Sequence, residues 1–175
     1  YLRQAKDIFG SAKLINMYGI TETTVHVTFR EVSLQDIEEN TSNIGVPIPT
    51  TATYILNAEM EQAPVGVKGE IYVGGAGLAR GYLNRPELTA TRFVPDPISN
   101  APGSRLYRTG DLARYTNNGT MEYMGRIDHQ VKMRGYRIEL REIETALMEQ
   151  EEVERALILL RENAVEQKQL VAYVV

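Results

Sequence analysis

Three polar, glycine-containing runs stand in order along the 175-residue chain: Asn16–Glu22 (NMYGITE), Tyr107–Leu112 (YRTGDL) and Gly125–Glu144 (GRIDHQVKMRGYRIELREIE). Between them they hold residue types suited to a nucleotide: an aromatic ring to cover a base, a carboxylate for ribose or a metal, a guanidinium for phosphate. In the first run, Tyr18 can lay its ring on a purine and Gly19 lets the backbone turn beside it. Thr21 offers a hydroxyl, and Glu22 a hard oxygen ligand for Mg²⁺. In the second, Asp111 follows Gly110 at the mouth of a strand, where a carboxylate can accept from two ribose hydroxyls. Plainer readings stand beside these: a strand-to-loop turn with a helix cap for residues 16–22, an Asp in a β-turn for Asp111, and solvated charge for Arg126. His26 beside Val25 reads first as a packed core histidine, and two isolated histidines, His26 and His129, cannot supply a histidine-rich zinc site.

These residues need a scaffold, and the hydrophobic period supplies one. Ala12–Asn16 reads as a short buried strand running into a polar loop, and Thr23–Phe29 as a second strand or a loop with strand character. From Gly45 to Gly125 the pattern is short strands with turn signals: Ala52–Leu56, Gly69–Val73, Leu106–Arg108, Ala113–Tyr115 and Met121–Met124. Asn117-Asn118-Gly119 between two of them is a hairpin signal, and Pro86–Phe93 predicts a short helix opened by proline. Gly69–Leu83 is glycine-rich but lacks the Gly-Lys-Ser/Thr ending of a phosphate loop, so it is read as close strand packing. Beyond Gly125 the character changes. Val131–Met133 and Tyr136–Ile138 predict a hairpin around Gly135, and Leu140, Ile143, Ala146 and Leu147 follow helical spacing. Val153–Leu160 and Leu170–Val175 read as strands of a small sheet, with a boundary at about Arg126–Gln130.

Composition narrows the classes. The chain is 43% hydrophobic, ordinary for a globular protein, and no apolar run approaches the roughly 18 residues of a membrane span. It has no cysteine, which excludes disulfides, thiolate metal sites and a cysteine nucleophile. Net charge of −4 argues against a general nucleic-acid binder. The chain starts at Tyr1 without a visible signal peptide and is expected to have been cut from something longer.

Together the three runs resemble the adenylation domain of a nonribosomal peptide synthetase, within the adenylate-forming ligases, over roughly Leu14 to Val175. The resemblance implies an α/β, mixed α+β fold: residues 1–127 as the end of the large adenylation subdomain with a distorted β-barrel, then residues 128–175 as hinge and incomplete small lid domain. It implies that Asn16 contacts the adenine amino group, Tyr18 stacks on the base, Thr21 and Glu22 serve the α-phosphate and magnesium, and Asp111 holds the ribose. Tyr123 matches a second base-packing residue, Arg126 a ribose or phosphate arginine, Asp128 the hinge, and Gly135 the path of a phosphopantetheine thiol. Met17, Val25 and His26 match positions lining the amino-acid pocket, in a pattern like that of threonine-activating members. Ile20 stands where proline is usual, and Arg141 where glycine is frequent. Lys132, Arg134, Arg137 and Arg141 form a basic set read mainly as solvated charge.

The implied reaction joins an amino acid to ATP, giving aminoacyl-AMP, and passes the aminoacyl group to a carrier-protein thiol in the cytoplasm. ATP/AMP, Mg²⁺ and phosphopantetheine are the implied cofactors, and a peptidyl carrier protein and neighbouring synthetase domains the partners, with neither nucleic acid nor membrane. The triphosphate loop and the substrate-ammonium acid fall upstream in the family, and the adenylation lysine downstream. This chain alone is therefore expected to be inactive. The rivals are an acyl-CoA or aryl-acid ligase of the same superfamily and a non-catalytic carrier-docking module. The strings GLARGYL and RIELREIE favour the synthetase branch.

Overall fold

The computed structural model describes residues 2–39, 41–99, 101–128, 130–133, 136–162 and 168–175. The chain divides into two compact units, one ending at Ile127 and one running from Asp128 to Val175. It is mixed α+β, with short helices and mostly strands.

The first unit is built on an eight-stranded sheet. Its strands are β1 (Ile15–Asn16), β2 (Thr28–Glu31), β3 (Asn43–Pro47), β4 (Thr51–Leu56), β5 (Gly69–Gly75), β6 (Phe93–Pro95), β7 (Arg105–Tyr115) and β8 (Met121–Arg126). The order is β1-β2-β3-β8-β7-β5-β4, with β6 on β7, and every pairing is antiparallel. The path is open: among the described residues no ladder closes it into a barrel. β5 is buried on both faces from Gly69 to Gly74, which accounts for its run of apolar and glycine residues rather than an alternating pattern. Val27, Ile44, Ile55, Ile71, Val73 and Met121 form the main apolar cluster. A second gathers Ile20, Phe93 and Tyr107, with Tyr82 against it.

Several expectations change. The strand expected at 12–16 shrinks to Ile15–Asn16 and is not buried, because it pairs on one side only, with β2 at the sheet margin. Residues 23–27 are not strand: a single 3₁₀ turn spans Thr21–Thr23, and β2 starts at Thr28. Leu106–Arg108 and Ala113–Tyr115 are one strand, β7, interrupted by a bulge rather than a turn. Helices α1 (Leu2–Phe9) and α2 (Leu34–Glu38) and strand β3 were not anticipated. The hairpin joining β7 to β8 is closed by Thr116 N–H to Thr120 O, 2.8 Å, and Gly119 N–H to Thr116 O, 3.0 Å. Helix α3 covers Pro86–Arg92, with proline at its start.

The second unit holds a hairpin of β9 (Val131–Met133) and β10 (Tyr136–Ile138), helix α4 (Leu140–Met148), and a hairpin of β11 (Ala156–Glu162) and β12 (Lys168–Val174). Leu140 and Ile158 are buried. The Glu144 carboxylate accepts the Ile158 backbone N–H at 2.9 Å, tying α4 to β11. The expected strand at Val153 begins three residues later, after a turn closed by Val153 N–H to Gln150 O. Among the described residues no helix is long and apolar enough to cross a membrane.

Candidate functional site

Residues 16–22 are stitched to β7 at two points. The Tyr18 hydroxyl donates to Asp111 Oδ2 at 2.7 Å. Four residues earlier on β7, the Tyr107 hydroxyl donates to Glu22 Oε1 at 2.9 Å. The loop is shaped for this by its own backbone. The Tyr18 carbonyl accepts both Val27 N–H and Thr28 N–H, and the Ile20 carbonyl accepts Thr23 N–H and Val25 N–H. Gly19 is required by close approach: a Cβ there would lie 1.7 Å from the Val25 carbonyl oxygen. Thr24 and Val25 sit at φ 64° and 69°, a left-handed conformation that costs β-branched residues about 1–3 kcal/mol each. Part of the restraint is the Thr24 hydroxyl, which donates to the Gly77 carbonyl at 2.7 Å. The Gly69–Leu83 stretch thus props the loop from outside, and Ala79 N–H also bonds the Glu22 carbonyl at 2.8 Å.

Asp111 is the centre of the first cluster and is only 3% exposed. Besides Tyr18, it receives Arg126 Nη1 at 2.7 Å and the Tyr123 hydroxyl at 3.4 Å, both on Oδ1. Arg126 also bonds the Thr109 carbonyl at 3.2 Å. Tyr18 and Tyr123 face each other with centroids 6.2 Å apart and a 38° tilt. Burial, then the Asp111 charge and hydrogen bond, push the Tyr18 phenol far above its ordinary value, so it remains a donor at any physiological pH. An ionised carboxylate offers about four acceptor sites, and protein donors take three here. A diol would use the remaining one and displace the long Tyr123 contact.

Glu22 is the centre of the second cluster. The hydroxyls of Tyr82 and Tyr107 lie 2.7 and 2.9 Å from its Oε1, and 2.9 Å from each other. Burial first, then the bonds to Tyr107 and Glu22, raise the Tyr82 phenol well above its usual range. Among the described residues no group of three or more His, Cys, Asp or Glu could hold a metal. The donor set, one carboxylate with the Thr21 hydroxyl nearby in sequence, fits a Mg²⁺ ion completed by phosphate oxygens and water, the usual manner of Mg²⁺ binding.

The other candidates have different surroundings. Asn16 donates its side-chain amide to the Asn43 carbonyl at 2.8 Å and borders a cavity of about 310 Å³ with Arg30, Asp36 and Ser42. Met17 and Val25 are largely exposed. His26 is also exposed, which corrects its reading as a core histidine. Asp128 is the first residue of the second unit and accepts the Gln130 N–H at 3.4 Å. Gly135, with His129 and Arg134, lies outside the described residues. Sequence reasoning missed Tyr82 and Tyr107 as partners of Glu22, and no local signal marks them.

The fold and site define a class, and comparison with known proteins specifies it. The model of the AMP-binding enzyme family matches residues 1–83. A plipastatin synthase polypeptide of Bacillus subtilis (strain 168) is 56% identical over 162 residues, 93% of this chain and 6% of that protein. The dimodular nonribosomal peptide synthase of the same organism is 53% identical over 165 residues, 93% of this chain and 7% of that protein. Among solved structures, holo-PA1221, an NRPS protein containing adenylation and PCP domains bound to a vinylsulfonamide inhibitor, superposes with a TM-score of 0.90 at 36% identity, covering 99% of this chain and 30% of that one. The chain belongs to the AMP-binding enzymes, in the adenylation-domain branch of the nonribosomal peptide synthetases, and spans a small part of the length of these relatives.

Proposed function

We propose that the full-length protein carrying this chain activates an amino acid with ATP and transfers it to the phosphopantetheine thiol of a carrier domain, in the cytoplasm where ATP is supplied. The observation that carries this reading is the convergence of Tyr18, from the 16–22 loop, and Tyr123 and Arg126, from β8, on the buried carboxylate of Asp111. That arrangement is an acceptor for a ribose diol, with aromatic rings beside it for a base. In the first step the substrate carboxylate attacks the α-phosphorus, the bond to the β-phosphate oxygen breaks, and pyrophosphate leaves. No general base is needed, because the nucleophile is already an anion, so the protein's work is positioning and charge stabilisation. Glu22 would hold Mg²⁺, which would supply positive charge to offset that of the leaving pyrophosphate. In the second step the thiol attacks the acyl carbonyl and AMP leaves.

Residues 1–127 then belong to the large adenylation domain and residues 128–175 to its lid, with Asp128 at the pivot and Gly135 on the thiol path. Asn16 faces the adenine and Thr21 the α-phosphate. The exposed Met17 and Val25 with His26 favour a small side chain carrying a hydroxyl, and threonine suits them. A panel of carboxylic acids in ATP–pyrophosphate exchange by the full-length protein tests the reading. Stimulation by one amino acid, threonine first, is expected. Stimulation only by aryl or fatty acids would transfer the protein to the acyl-ligase branch, and silence across the panel would favour a carrier-docking module.

A further inference from the structure

Glu70 is buried, 7% exposed, on a strand whose other residues, Gly69–Gly75, are apolar, tyrosine or glycine. Burying a carboxylate is costly unless its oxygens are used, so what it bonds is informative. On β5 the step from Glu70 to Tyr72 faces the longer step from Leu112 back to Arg108 on β7. Three residues of β7, Thr109, Gly110 and Asp111, therefore stand opposite the single residue Ile71 of β5, two more than a regular ladder would have. A bulge of this kind leaves backbone groups without ladder partners. Gly110, at φ +76°, is one such residue. Its N–H is taken by Glu70 Oε1 at 2.8 Å. The same carboxylate receives Arg108 Nε at 3.0 Å on Oε2, and the Tyr72 hydroxyl reaches Oε2 at 3.4 Å. The next N–H, that of Asp111, goes to Thr109 Oγ1 at 2.9 Å, and the Thr109 hydroxyl bonds the Ile71 carbonyl at 2.7 Å. The Gly110 carbonyl accepts Ile127 N–H at 2.8 Å. These bonds fix the bulge on the β5 side of Asp111, where Glu70 supplies the acceptor that a regular strand would have supplied from its neighbour, while on the other side Asp111 pairs with Arg126 of β8.

We propose that Glu70 is a positioning residue for Asp111, acting through the Gly110 N–H to hold the bulge at which the carboxylate meets the ribose. This rests on the reading of Asp111 as the ribose acceptor. Two mild substitutions separate reach from charge. Glu70→Gln keeps the length and an acceptor oxygen. Glu70→Asp keeps the charge but withdraws the oxygen by one methylene. The measurement is calorimetric affinity of the full-length protein for AMP and for 2′,3′-dideoxy-AMP, with thermal melting as the fold control and Asp111→Asn alongside. Asp111→Asn should cut the preference for AMP by about fivefold or more, the weight of one hydrogen bond. Glu70→Asp should cut it by about threefold or more, and Glu70→Gln should stay within about twofold of wild type.

A wild-type preference in Asp111→Asn removes the ribose reading and the proposal with it. Loss in Asp111→Asn beside a wild-type preference in Glu70→Asp overturns the Glu70 proposal alone. Equal loss in both Glu70 variants shows that an acceptor oxygen at the Gly110 N–H does not suffice and overturns the proposal as stated. Failure of Glu70→Asp to fold also counts against it, since a positioning role leaves the fold standing.

Discussion

Two phenolic hydroxyls bond one oxygen of Glu22. Tyr82 comes from the loop before α3 and Tyr107 from β7, and Tyr107 is fully buried. Tyr107→Phe keeps the ring and its packing against Phe93, whose centroid is 5.0 Å away. It should cost about 1 kcal/mol in stability for the lost hydrogen bond, read by urea denaturation, and raise the Mg²⁺ concentration for half-maximal pyrophosphate exchange. An unchanged Mg²⁺ requirement would detach the tyrosines from the cation. At Asp111 the choice of substitution matters. Its pair with Arg126 is buried on both sides, at 5% and 13% side-chain exposure. Alanine would remove both the buried charge partner and the acceptor oxygens and cost about 3–5 kcal/mol, whereas asparagine keeps the shape and one acceptor oxygen and is the milder variant for binding measurements.

At the scale of elements, α2 shows how a five-residue helix is held. Ser33 caps it by accepting the Asp36 N–H at 3.1 Å, while Asp36 Oδ2 accepts the Ser33 N–H at 2.7 Å. Arg30 adds a bond to each carboxylate oxygen of Asp36 at 3.0 Å. Burial pulls the Asp36 carboxyl upward, but the bonds from Ser33 and Arg30 outweigh it and leave the group below its ordinary value. A lowered folded-state value means stability that is full above the unfolded value, near 3.9, and is lost as pH falls below it. Melting the wild type and Asp36→Asn between pH 6 and pH 3 should show the wild-type advantage shrinking only at the acid end. A constant difference across that range would contradict the assignment.

Legibility also divides by element. Strands with β-branched runs, such as β4 and β5, and the Asn117–Gly119 turn can be read from local pattern. β3 cannot, since Gly45 and Pro47 look like breakers, yet Pro47 sits at the strand's end opposite Thr28. β7 reads as two strands because Thr109-Gly110-Asp111 lacks strand character, and the bulge that accommodates it is stabilised from β5. The types at Tyr18, Glu22, Asp111, Tyr123 and Arg126 are legible from motif order. The partners Glu70, Tyr82 and Tyr107 are not, because each is a long-range contact with no local period to announce it.

At the scale of the whole molecule, the division at Ile127 and Asp128 falls inside the third polar run, beside Arg126 on β8. If Asp128 is the pivot between two half-reactions, fixing its φ near −65° with proline should leave adenylate formation and reduce carrier loading, measured as thioester formed per adenylate consumed. Equal loss of both steps in a folded variant would remove the pivot role. In the proposed site Asp111 and Glu22 hold the two ends of one nucleotide, and amino-acid-dependent ATP–pyrophosphate exchange in the full-length protein, comparing wild type with Asp111→Asn and Glu22→Gln, puts this to the test. Both variants should remain folded, Asp111→Asn with a lowered melting temperature because its buried pair with Arg126 is lost; both should lose most of the exchange, and raised Mg²⁺ should restore part of it only in Glu22→Gln. Wild-type exchange in either folded variant would contradict this reading.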